Sequence, residues 1–220
     1  MSSSDTSSGD NAGGRLFVIT GPSGVGKGTL IERLLEQVPE LELSVSATTR
    51  SPRESERDGV HYHFMDDREF ERRVDAGEFI EHAGYASHRY GTPRTEVDPR
   101  LAEGRSVVLE IELQGARQIR ETVPDAVQVF IAPPSPADLR RRLEGRGTDS
   151  PEQISRRLEV AEQELEARGE FGLVVENDDV DRAAGELAAL VRSHLRGSSP
   201  EGPRNPSARM ACPPDLQEDS

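Results

Sequence analysis

Lysine is almost missing from this chain of 220 residues: Lys27 is the only one, and the other 26 of the 27 basic residues are arginine. Cysteine is nearly as scarce. The single Cys212 excludes an internal disulfide framework and fits a reducing, cytoplasmic setting. No apolar run approaches the roughly 20 residues of a membrane span, so no membrane partner is expected. The first 14 residues lack both a basic start and an apolar stretch, and do not read as a signal peptide. Positive charge is also short. Against 41 acidic residues the net charge is −14, which argues against a nucleic-acid partner, since proteins that grip a polyanion carry basic surfaces. Two explanations of the acid excess stay open: a coding bias toward arginine, and adaptation to a salty cytoplasm in which screening relieves the repulsion.

The one lysine that is present lies in a glycine-rich loop made of Gly21, Pro22, Ser23, Gly24, Val25, Gly26, Lys27, Gly28 and Thr29. An ammonium on a flexible stem reaches phosphate oxygens in a tight loop where a planar guanidinium fits poorly. The apolar run 16–19 before the loop reads as a buried strand. The spacing of Leu30, Ile31, Leu34, Leu35 and Val38 after it reads as a helix. Strand, Gly-x4-Gly-Lys loop and helix together predict a phosphate-binding P-loop rather than a plain turn. One position is irregular. Gly28 stands where a Ser or Thr hydroxyl usually meets Mg²⁺, with Thr29 one step later. Mg²⁺ leans on substrate phosphates and water, so the missing hydroxyl is tolerable.

The rest of the chain alternates strand and helix signals, which predicts an α/β fold with a mostly parallel sheet. Residues 41–47 alternate apolar and polar as one half-buried strand, and 67–76 read as a helix that Gly77 ends. Residues 79–90 are strand-like, and 93–103 look helical despite Pro99. The apolar run 106–113 is interrupted by Glu110 and Glu112, acids at the carboxyl end of a core strand where α/β proteins collect ligands. A core strand at 126–132, a helix starting at 137, a break at 145–149 and a long charged helix at 151–168 follow. A short strand at 173–176 and an amphipathic helix at 181–195 close the pattern. Residues 1–14 and 197–220 are rich in Ser, Gly, Pro and acids, and are expected to be disordered.

Arg50 and Arg53 flank a proline after the 41–47 strand. Such a pair can hold a phosphate dianion or form nothing more than a solvated loop. Tyr62 and Tyr90, two of only three tyrosines, can donate to the same phosphate or sit at a core edge. His61 and His63 have no third ligand at metal spacing.

With these segments in order, the chain resembles the guanylate kinase family from about 15 to 195. The resemblance rests on the P-loop, Ser44-Val-Ser-Ala-Thr-Thr-Arg-Ser-Pro-Arg53, Asp58-Gly-Val-His-Tyr-His-Phe64 and Gly77-Glu-Phe-Ile-Glu81. It continues through Tyr90-Gly-Thr92, Leu109-Glu-Ile-Glu-Leu-Gln-Gly115, Ala132-Pro-Pro-Ser135 and Arg142-Leu-Glu-Gly-Arg-Gly-Thr148. It implies a P-loop NTPase core with a mostly parallel five-stranded sheet flanked by helices. To this core are added a GMP-binding α+β insert at about 46–98 and a small helical lid at about 136–158. It implies transfer of the γ-phosphoryl group of ATP to GMP, and on the same grounds dGMP, with Mg²⁺ carried mainly by ATP and water. Arg50, Arg53, Tyr62 and Tyr90 would hold the GMP phosphate. Ser46, Glu81, Thr92 and Glu112 would surround the guanine, with Gly91, Glu110 and Gly115 also in the GMP site. Arg142, Arg146 and Arg157 would close a lid over ATP, with Asn177 near the adenine end. No direct protein ligand to the metal is assigned, Thr29 and Glu110 being candidates through water.

Guanine presents N1–H and N2–H2 donors side by side, and an ionised Glu81 can accept from both. Adenine would leave that carboxylate facing a lone pair. Read alone, Glu81 is a surface acid. Glu112 stands where the family commonly has Asp, and Arg89 precedes Tyr90 where a small polar or aromatic residue is usual. Two other readings share the scaffold: a non-catalytic guanylate-kinase-like binding module, and a P-loop kinase acting on another phosphorylated small molecule. The residues do not indicate an oligomeric state.

Overall fold

The computed structural model describes residues 13–85, 87–145 and 151–196. Its centre is a five-stranded sheet in the order β2-β7-β1-β8-β9, every neighbouring pair parallel. The strands are β1 (Leu16–Thr20), β2 (Leu41–Leu43), β7 (Ser106–Glu110), β8 (Val127–Ala132) and β9 (Leu173–Glu176). Parallel strands need crossovers and so are covered on both faces, and the side chains divide accordingly. Along β1, Phe17 and Ile19 enter one core while Leu16 and Val18 enter the other, the alternation a period of two demands. The first core packs against α1 (Lys27–Gln37), α5 (Pro136–Glu144), α6 (Pro151–Glu166) and α7 (Val180–Leu195). The second packs against α3 (Arg94–Ala102) and α4 (Leu113–Thr122).

A second sheet, β4-β3-β6-β5, comprises β3 (Ala47–Thr48), β4 (His63–Phe64), β5 (Phe79–Tyr85) and β6 (His88–Pro93). With α2 (Asp67–Asp75) it encloses a small core of Ala47, Phe70 and Phe79, the two rings stacked 4.6 Å apart. The unit's strands and helix lie between Ala47 and Pro93. The stretch 41–47, expected as a single strand, is divided between the sheets. Leu41–Leu43 pair with β7, whereas Ala47 and Thr48 pair with β4 and β6. Between them the Ser44 amide donates to Val108 and the Val45 amide to Glu96, so the backbone changes partners in mid-run.

Helix starts follow local chemistry. Asp66, Ser135 and Asp179 each accept an amide hydrogen bond at the N-terminus of α2, α5 and α7, and Pro136 opens α5. Pro99 lies inside α3. The Gly14 amide donates to the Leu101 carbonyl at 3.0 Å, so residue 14 is tied to the domain. The rest of the expected terminal segments, and residues 146–150 of the expected lid with Arg146, lie outside the described residues.

Candidate functional site

The glycine-rich loop leaves the carboxyl end of β1, the central strand, and ends where α1 begins at Lys27. Gly24 (φ 84°) and Gly26 (φ 97°) adopt left-handed backbone that side chains disfavour, which curls the loop. Lys27 is buried, with Nζ donating to the Gly21 carbonyl at 2.6 Å. The ammonium is thereby folded back onto its own loop.

A cleft of about 500 Å³ joins this loop to the second sheet. Its walls include Ser23, Gly24, Gly26, Lys27, Gly28, Thr29 and Arg157 on one side. Ser46, Tyr62, Glu81, Tyr90 and Gly91 line it from the second sheet's side, and Glu110 and Glu112 from the end of β7 and the start of α4. Most of the expected residues therefore meet in one space. Ser44, Leu43, Glu32, His61 and Ala83 line it as well.

Glu81 is not a surface acid. It is 4% exposed, and its carboxylate accepts from Thr92 Oγ1 at 2.7 Å. Burial, and then the charge of Glu112, push its pKa up to about 7, against the lowering effect of the Thr92 hydrogen bonds. Gly115 makes room for it: a Cβ there would lie 2.1 Å from Glu81 Oε2. Gln118, one turn along α4, binds the backbone of His82 in both directions, at 3.1 and 2.7 Å, and so fixes Glu81's strand against the helix.

Arg50 lies over the Tyr62 ring at 5.5 Å, and Tyr62 and Tyr90 meet edge to face at 6.1 Å. Glu56 joins the two arginines: one oxygen pairs with Arg50 Nη2 at 2.8 Å, the other accepts the Arg53 amide at 2.7 Å. Its pKa is lowered to about 2, first by Arg50. Sequence reasoning missed Glu56, although an acid three residues after the second arginine is a readable signal.

Other expected residues stand behind the loop. Arg142 donates to the Val25 carbonyl at 2.9 Å and the Asn177 carbonyl at 2.6 Å, and Asn177 Nδ2 reaches Val25 at 2.8 Å. Asn177 is 1% exposed, so it supports the loop from outside the cleft. Glu164 on α6 was also missed. It is buried, accepts the Ser23 amide at 3.1 Å and lies against the carboxyl of Glu112. Burial, then Glu112, raise its pKa to about 7. Among the described residues no group of three or more His, Cys, Asp or Glu side chains is placed to hold a metal ion. The space above Gly28 is nonetheless acid-lined, both Glu110 oxygens lying 3.9 Å from where a Cβ would stand. One carboxylate beside phosphates and water suits Mg²⁺. No helix among the described residues is long and apolar enough to cross a membrane.

A phosphate loop at the carboxyl end of the central strand, facing a smaller sheet with a buried acid, defines a P-loop nucleotide kinase. The family model described as guanylate kinase matches residues 13–194. A guanylate kinase of Synechococcus sp. (strain CC9902) is 56% identical over 187 residues, covering 85% of this chain and 98% of that protein. One from Frankia casuarinae is 57% identical over 176 residues, covering 80% and 96%. The crystal structure of guanylate kinase from Anaplasma phagocytophilum superposes with a TM-score of 0.70 at 32% identity, covering 84% of this chain and 87% of that one. The chain belongs to the guanylate kinase family.

Proposed function

We infer that the protein transfers the γ-phosphoryl group of ATP to GMP, giving ADP and GDP, and that dGMP serves as an alternative acceptor. The observation that carries this reading is the single cleft joining the Lys27 loop to the buried Glu81–Thr92 pair. A phosphorylated sugar would offer that buried acid no pair of N–H donors, and a binding module would need no lysine folded into its loop.

The acceptor is itself a phosphate, with a second pKa near 6, so it is largely dianionic at neutral pH and needs no general base. The work left to the protein is alignment and neutralisation. Arg50 and Arg53, held by Glu56, receive the GMP phosphate together with Tyr62 and Tyr90. Glu81 accepts from guanine N1–H and N2–H2, with Ser46, Thr92 and Glu112 around the ring. Lys27 and the amides of the loop bind the ATP phosphates, and Arg157 adds charge from α6. Mg²⁺ supplies further neutralisation when it arrives with ATP, and Glu110 and Thr29 are the residues that would hold its waters. Closure of the lid and insert excludes water, which otherwise competes as acceptor. A cytoplasmic setting, expected from the scarcity of cysteine, is part of the same proposal. The test is a coupled ADP-release assay with ATP against a panel of nucleoside monophosphates. GMP should exceed AMP, CMP and UMP by orders of magnitude; equal rates would sink the reading.

A further inference from the structure

Polar groups of the phosphate loop are held from behind it and from α6, at Val25 and at Ser23, which also lines the cleft. The Val25 carbonyl is taken by Arg142 and Asn177. Ser23 is held by α6 at two points: its hydroxyl lies 3.2 Å from Arg157 Nη2, and its amide donates to Glu164 Oε2 at 3.1 Å. Arg157 and Glu164 are seven residues apart, two helical turns, and so share one face of α6. α6 is fixed in the core by Leu158 and Ala161, and Ala167 just beyond its end is buried too.

Successive amides in a phosphate loop are coupled through the backbone, because turning one peptide plane turns the next. An amide tied to α6 cannot swing into the cleft, and it sets the plane from which the amides of Gly24 onward curve around the anion. We propose that Glu164 is a positioning residue for the ATP phosphates. By holding the Ser23 amide it fixes the start of the anion-binding curve, and it sets the register in which Arg157 meets the loop. The proposal rests on the phosphotransfer reading above. It adds a residue that touches neither nucleotide and acts through the backbone of one that does.

Its sign separates it from an alternative on the same contact. A carboxylate bound to a loop amide is also what a competitor of phosphate would look like, and removing a competitor tightens ATP binding. Removing a positioning contact weakens it.

The experiment compares Glu164→Gln with Glu164→Met in the full chain. Both fill the buried volume, but only Gln offers an oxygen to the Ser23 amide. Binding of a non-hydrolysable ATP analogue with Mg²⁺, and separately of GMP, is measured by calorimetry alongside steady-state kinetics and melting temperature. Glu164→Met should weaken the analogue and raise KM for ATP about tenfold, the worth of one buried hydrogen bond, with GMP binding unchanged within about twofold. Glu164→Gln should restore most of both. Analogue binding in Glu164→Met equal to or tighter than in the unaltered protein would overturn the proposal. So would Gln performing as poorly as Met, or equal losses for ATP and GMP. Absence of ATP:GMP transfer in the unaltered chain would sink the phosphotransfer reading instead, and the calorimetric comparison would still be readable.

Discussion

A buried acid whose pKa lies near 7 is costly to the free protein and useful to the complex, and Glu81 is such a residue. Its folded pKa of about 7 is above its ordinary 4.5, so the folded state holds the proton more tightly. The stability this contributes is complete below about 4.5 and is lost as pH rises through about 7. At pH 8 the ionised, 4%-exposed side chain carries the full cost, on the order of 3 kcal/mol. Glu81→Gln should therefore melt higher than the unaltered protein at pH 8 and lose that advantage by pH 5, as scanning calorimetry would show. The same change should lower kcat/KM for GMP roughly ten- to a hundredfold, because an acceptor oxygen and its charge are gone. IMP lacks the N2 amine, so the GMP-to-IMP ratio should narrow as well. If Glu81→Gln slowed both equally, guanine would be read elsewhere. GMP binding should also strengthen between pH 6.5 and 8 in the unaltered protein, and less so in Glu81→Gln, where the Glu81 contribution is gone. Lys27 is a simpler case. Lys27→Ala should abolish turnover while leaving GMP binding nearly intact in calorimetry; a tenth of normal turnover in the variant would remove the lysine from the mechanism.

Elements decide what single residues cannot. Glu81 belongs to β5, but its burial comes from α4, which brings Gly115 against the carboxylate and pins His82 through Gln118. The acid therefore looks exposed in the sequence, and only packing between the two elements hides it. A related failure divides 41–47. The alternation of Leu41, Leu43, Val45 and Ala47 was legible, but side-chain period carries no information on which strand is the neighbour. The P-loop, the strand-helix order and most of the cleft were legible because each rests on local spacing. Glu56, signalled by its spacing from Arg53, was readable but passed over among many acids, whereas Glu164 was not legible, being chosen by a contact across 141 residues of chain. The α4–β5 contact makes its own prediction. Gly115→Ala places a methyl 2.1 Å from Glu81 Oε2, and the walled-in carboxylate has to leave its position. Activity toward GMP should fall at least as far as in Glu81→Gln, with ATP-analogue binding unchanged. Unaltered GMP kinetics would mean that the helix, not the acid, yields.

Over the whole molecule the excess of acid acts at a different range from the ion pairs seen on the surface. Exposed pairs such as Arg33–Glu36 at 3.1 Å and Arg182–Glu186 at 2.9 Å are neighbours on one helix. Each is weak, and each is shorter than the Debye length of about 10 Å at 0.1 M salt, so moderate salt removes little of it. Repulsion among the surplus carboxylates that make up the net charge of −14 acts over longer distances and is screened first. Added salt therefore takes away more of the unfavourable term than of the favourable one. The melting temperature of the nucleotide-free protein should rise from dilute buffer through about 0.5 M KCl, beyond which the Debye length is only a few ångströms and the gain should flatten. Potassium chloride is the informative salt, because sulfate would also strengthen apolar burial and confuse the two causes. A curve flat from dilute buffer to molar KCl would show that the surplus charge does not burden the fold. The scarcity of lysine would then be left to coding bias, with Lys27 kept because its loop admits nothing else.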